Sequence, residues 1–133
     1  MILVDTNILI DIVESDPQWA DWSQRQLDAA SAVDQLAIND VIYAELSVGF
    51  SRIGEVEAFL AAAGLVVATL PRLGLFHAGK AFQRYRSEGG RRTGVLADFF
   101  IGAHAATTGS LLITRDPRRY RRYFPDISLL TPD

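Results

Sequence analysis

At 133 residues with no cysteine, the chain is long enough to bury roughly two thirds of its unfolded surface without covalent staples, and disulfide scaffolds, thiol nucleophiles and cysteine metal sites are excluded. Its start lacks a basic segment leading into an apolar core, and nowhere is there an apolar run of membrane-spanning length, so one soluble cytoplasmic domain over 1–133 is expected. The net charge of −3 hides an asymmetry: residues 1–66 carry eleven acids and two bases, residues 67–133 five acids and eleven bases, a polarity that suits a polyanionic partner.

Ile2-Leu3-Val4 reads as a buried strand that delivers Asp5 to its C-terminal rim. Thr6 then starts a helix with Ile8, Leu9, Ile12 and Val13 at helical spacing. Asp16-Pro17 predicts a second helix through about Ala32, with Trp19, Trp22 and Leu27 on its apolar side. Leu36-Ala37-Ile38 is the next strand, and Asn39-Asp40 caps a helix through Val48. Gly54 is expected to break the chain before a helix over Val56, Phe59 and Leu60 that stops at Gly64.

Leu65 to Ala68 predicts another strand, and Pro71 opens a helix with Leu75, Ala78, Phe82 and Tyr85 inward. That helix runs out in Gly89 to Gly94, a loop rich in glycine and arginine. Leu96 to Thr107 is helical up to Gly109, Leu111 to Thr114 a buried strand, Pro117 to Phe124 a short basic helix, and Ile127 to Leu130 an edge strand. Strands alternating with helices predict a three-layer α/β/α fold around a parallel sheet of about four or five strands.

Four carboxylates stand where solvated acids are not expected. Asp5 ends the first strand, where capping the following helix is the competing role. Glu45 falls within the apolar stripe of its helix, where an unpartnered ionised acid is so costly that it neutralises, pairs or binds metal; pairing with Arg52 is the alternative. Asp98 lies in a first helical turn beside Phe99 and Phe100, favoured there by the helix dipole. Asp116 follows a strand as Asp5 does, although Asp116-Pro117 is also a good cap-and-proline pair. Acids gathered at about 5 Å repel by roughly 3 kcal/mol per pair at an effective dielectric near 20. Lys80 is the single lysine, so convergence calls for magnesium or manganese, the partners of hard oxygen ligands.

Val4-Asp5-Thr6-Asn7, Tyr43-Ala44-Glu45-Leu46, Asp98 to Ala103 and Thr114-Arg115-Asp116 together resemble the PIN-domain proteins, most closely the VapC-type ribonuclease toxins of toxin–antitoxin pairs, over nearly the whole chain. The resemblance implies that Asp5, Glu45, Asp98 and Asp116 hold one or two Mg²⁺ or Mn²⁺ ions, with Thr6, Asn7 and Thr114 supporting them. It implies hydrolysis of RNA by metal-activated water, a homodimer and a cognate antitoxin partner. His104 departs from the pattern, standing where a small residue is common.

From Lys80 to Arg122 there are ten bases and three acids. Arg91, Arg92, Arg115, Arg118, Arg119 and Arg122 are the candidates for RNA phosphates, with Arg121 in the same run and Tyr120 and Tyr123 available to stack on bases. Other chemistries fit poorly. Gly89 to Gly94 lacks the Lys-Ser/Thr of a Walker loop, no Gly-x-Ser-x-Gly turn is present, and His77 and His104 sit within helices without zinc spacing and read as structural. A receiver-like phosphoryl acceptor wants an adjacent acidic pair after the first strand and a nearby lysine. A catalytically silent RNA- or partner-binding module on the same fold is the stronger rival to the nuclease.

Overall fold

The computed structural model describes residues 1–132. Along the chain run β1 (Ile2–Val4), α1 (Thr6–Val13), α2 (Ala20–Ser31), β2 (Leu36–Ile38), α3 (Asp40–Ser47) and α4 (Ile53–Ala63). They are followed by β3 (Leu65–Val67), α5 (Arg72–Ser87), α6 (Leu96–Thr108), β4 (Leu111–Ile113), α7 (Arg118–Tyr123) and β5 (Leu129–Leu130). All five strands are parallel, in the order β3-β2-β1-β4-β5, within a three-layer α/β/α arrangement. The central strands are apolar throughout because helices cover both faces: Leu3, Val4, Leu112 and Ile113 are fully buried. The edge strand β3 leaves Val66 and Val67 half exposed.

This strand order places the site. The chain builds outward from β1 through β2 to β3, then returns to lay β4 on the other side of β1, so the direction of winding reverses between β1 and β4. At such a switch the connections leave in opposite directions and open a crevice at the carboxyl ends of the strands. Val4 pairs with Ile113, which sets Asp5 and Thr114 side by side at that crevice.

Local signals explain most boundaries. Asn39 accepts a hydrogen bond from the Ile42 amide at 3.0 Å and caps α3, and Gly64 ends α4 at φ +69°. Four expectations are corrected. Regular α2 begins at Ala20, although Asp16 caps as expected: its Oδ1 accepts from the amides of Gln18 and Trp19 and its carbonyl from that of Ala20, so residues 16–20 form a turn that leads into the helix. Gly54 lies inside the first turn of α4 and breaks nothing. Leu75 points outward, since the face of α5 that meets α6 is built on Gly74 and Ala78. β5 is confined to Leu129–Leu130.

Two close approaches fix α6. A Cβ on Gly74 would stand 3.0 Å from Leu70 Cδ2 and 3.4 Å from Thr107 Oγ1, and one on Gly102 would stand 2.4 Å from the Phe124 ring. Among the described residues no helix is long and apolar enough to cross a membrane.

Candidate active site at the switch between β1 and β4

Asp5 occupies the cap position of α1 in extended conformation, yet its side chain makes no cap hydrogen bond. The carboxylate turns to the crevice instead and is 4 % exposed. Its Oδ2 accepts from Thr114 Oγ1 at 2.8 Å, from the Tyr120 hydroxyl at 2.8 Å and from Asn7 Nδ2 at 3.4 Å. Burial raises its pKa to about 6, with the Asp98 charge pushing the same way and the Thr114 and Tyr120 hydroxyls pulling it back. Neutral donors thus orient the anion without neutralising it.

The other three acids come from α3, the first turn of α6 and the loop before α7. Glu45, half-buried on α3, accepts from Thr6 Oγ1 at 2.6 Å, so Thr6 ties it to the residue after Asp5, and its hydrogen bond is to Thr6 rather than to Arg52. Asp98 opens α6 and pairs with the Arg119 guanidinium of α7. Burial raises its pKa, Arg119 and Arg92 oppose the rise, and the Asp116 charge adds to it. Asp116 is exposed; its amide donates to Thr114 Oγ1 at 3.2 Å and its Oδ1 meets Arg118 Nε at 3.5 Å. It does not cap α7, whose cap position belongs to Pro117.

Tyr120 shows that several of these fields meet. Its hydroxyl pKa is pushed well above the ordinary value by burial first, then by the charges of Asp5, Asp98 and Glu45. The donor set is all hard oxygen and suits a divalent cation of the magnesium class. The buried, unneutralised Asp5 is the feature a cation would relieve. Among the described residues, however, no three acids stand in ready ligand spacing, and Arg119 lies on Asp98.

The PIN-domain family model matches residues 2–125. The chain belongs to the PIN-domain family. Its fold is similar to that of a chain of VapBC2 from Rickettsia felis, bound in that structure to a promoter DNA fragment, at 20 % identity over all of both chains with TM-score 0.75. A chain of VapBC-1 from nontypeable Haemophilus influenzae is 22 % identical over 98 % of both, with TM-score 0.72. A chain of FitAcB from Neisseria gonorrhoeae is 18 % identical over 99 % of this chain and 98 % of its own, with TM-score 0.66. No curated protein matches it in sequence.

In this PIN domain the basic residues divide into two groups. Arg91 and Arg92 are exposed in the loop before α6, and Arg118 is exposed on α7. Arg118, Arg119 and Arg122 line, with Tyr85, Tyr123 and Asp116, a cavity of about 360 Å³. Arg122 also pairs with Glu88, to which Arg84 is bound as well. Arg115 behaves differently from the expectation of a phosphate contact. It grips Asp11 through Nε at 2.7 Å and Nη2 at 2.9 Å, over the ring of Trp19. Asp11 is 2 % exposed and also accepts from Ser23, so Arg115 clamps α1 to the loop that carries Asp116.

Tyr120 and Tyr123 are likewise not free to stack on bases. Tyr120 is fully buried against Asp5, and Tyr123 packs on Phe99 with ring centroids 5.1 Å apart. The role of Tyr120 had one sequence signal, an aromatic that shares with Tyr123 the buried face of a six-residue helix otherwise made of arginines.

His77 is exposed beside Phe76 rather than structural. His104 is fully buried on α6; the Asn39 amide lies 3.1 Å from its Nδ1, while Nε2 has no partner. Asn39 Nδ2 donates, because its Oδ1 already caps α3, so His104 carries its proton on Nε2. Burial lowers its pKa. The contact braces the helix of Glu45 against the helix of Asp98.

Proposed function

We propose that this PIN domain is a divalent-metal-dependent endoribonuclease and the toxin of a type II toxin–antitoxin pair, acting as a single cytoplasmic domain. The observation that carries the reading is Asp5: a buried carboxylate at the sheet's switch point, oriented by three neutral donors and left without a charge partner. Carboxylates held in that state gather where chemistry needs them.

In this reading Asp5, Glu45, Asp98 and Asp116 hold one or two Mg²⁺ or Mn²⁺ ions. When bound, such ions activate water and stabilise the charge that builds on the phosphate. Thr114, Tyr120 and Asn7 hold the Asp5 carboxylate in one rotamer, and Thr6 does the same for Glu45. Arg91, Arg92, Arg118, Arg119 and Arg122 lead RNA phosphates towards the acids. Arg115 acts as the clamp of the Asp116 loop. The antitoxin partner is supported by the VapBC and FitAcB structures that share the fold; the homodimer belongs to the same proposal.

A second reading, a catalytically silent RNA- or partner-binding module, is favoured by the absence of three closely spaced acids among the described residues. One experiment separates them. With Mn²⁺ and a panel of structured RNAs, the wild type should cut at least one, and Asp5→Asn or EDTA should lower the rate by about a hundredfold or more while the fold persists. A panel left intact by wild type, with RNA binding unaffected by Asp5→Asn, overturns the nuclease and leaves the binding module.

A further inference from the structure

Consecutive residues of α7 answer two of the acids by different means. Tyr120 brings a neutral hydroxyl to Asp5, and Arg119 brings a full positive charge to Asp98. The buried Tyr120 anchors the helix, which determines where Arg119 can reach. The Arg119 guanidinium lies 6.0 Å from the centre of the Tyr85 ring, at the boundary between the acids and the cavity that Tyr85, Arg122 and Tyr123 line. Both partners of the pair retain some water contact, at 25 % side-chain exposure for Arg119 and 34 % for Asp98. This is a pair that can open.

A guanidinium and a divalent cation compete for Asp98, because both are attracted to the same carboxylate and the two repel one another at close range. We propose that Arg119 is a displaceable stand-in for the cation: it neutralises Asp98 while no ion is bound, and it competes with the ion for that carboxylate. The inference rests on the metal-dependent reading of the site. Its consequence is that the apparent metal affinity of the wild type is lowered by the fraction of molecules in which Arg119 holds Asp98. The arginine released from Asp98 has the adjoining cavity beside it, where a phosphate is the natural partner.

Direct binding of Mn²⁺ without RNA, followed by calorimetry, tests this in the intact chain. Arg119→Gln should bind Mn²⁺ about fivefold more tightly than wild type, the factor expected from a partly exposed ion pair. Arg119→Lys, which keeps a charge within reach, should stay near wild type. Arg84→Gln removes an equal charge whose ion-pair partner is Glu88 rather than any of the four acids, and should change the affinity by less than about twofold. In the wild type itself, the side-chain N–H resonances of Arg119 should shift when diamagnetic Mg²⁺ is added.

Mn²⁺ binding by wild type with Arg119→Gln no tighter, or with Arg119 resonances unmoved, overturns the displacement and leaves the metal site standing. No binding by either protein overturns both. Binding by Arg119→Gln alone supports the competition in its strongest form.

Discussion

Asp5 and Asp11 lie on successive turns at the start of the chain and are almost equally buried, at 4 % and 2 % exposure, yet the protein treats them in opposite ways. Asp11 receives a bidentate guanidinium from Arg115 and a hydroxyl from Ser23. Asp5 receives two hydroxyls and an amide, all on one oxygen, and no charge. Burial is therefore not what separates these two acids; neutralisation is. A paired buried carboxylate secures two elements to each other, whereas an unpaired one keeps its charge, as the proposed cation site requires.

Arg115→Ala attacks the paired side of this contrast and should cost the most, about 3 kcal/mol of unfolding free energy, since it strands a buried Asp11 charge. The figure sits at the low end for such losses because Arg115 is itself partly exposed. Urea denaturation at pH 7 reads it, and a loss under about 1 kcal/mol would place Asp11 in contact with water rather than in a buried clamp.

Asp5→Asn attacks the unpaired side and should act in the opposite sense. The folded pKa of Asp5, about 6, lies above the ordinary 3.8, so the folded chain holds this proton more tightly than the unfolded chain does. That contribution is fully present below about pH 3.8 and is lost as pH rises through about 6. At pH 7 the ionised Asp5 then costs up to roughly 3 kcal/mol relative to a group that never ionises. Asp5→Asn should therefore stabilise the metal-free protein by about 2 kcal/mol at pH 7, after the loss of ideal hydrogen bonding, and by little at pH 4. The comparison with wild type at each pH cancels His104, whose lowered pKa works the other way by favouring the folded state above about pH 6.5. If Asp5→Asn destabilises at pH 7, the carboxylate is already neutralised in the metal-free protein.

Tyr120→Phe refines the contrast with the smallest effect. It removes one donor from Asp5 and should cost about 1 kcal/mol at pH 7. Asp5 should then titrate above the wild-type value, which carboxyl carbon NMR can follow. An unchanged titration would mean that the Tyr120 hydroxyl does not hold the ionised form.

Much of the fold could be read locally. Apolar triplets marked the central strands because they are covered on both faces, Asn39 marked a helix start through its side-chain cap and the glycines at 64 and 109 marked helix ends through their left-handed backbone, and alternation of the two element types left a parallel sheet as the economical arrangement. The clearest misplaced detail was one that a neighbour distant in sequence decided. Asp16 caps as its type suggests, whereas Leu75 lost the inward face of α5 to Gly74 because α6 approaches too closely for a larger residue there.

Residue types and their spacing determined that acids would stand at the ends of buried strands and at helix starts, since those placements follow from periodicity and capping within a few residues. Partnership was decided only in three dimensions. Arg115 belongs to Asp11 across 104 residues, Tyr120 to Asp5 across 115 and Arg119 to Asp98 across 21. Electrostatic neutralisation depends on distances between side chains and on the water left around them, and neither quantity is written in the order of the residues.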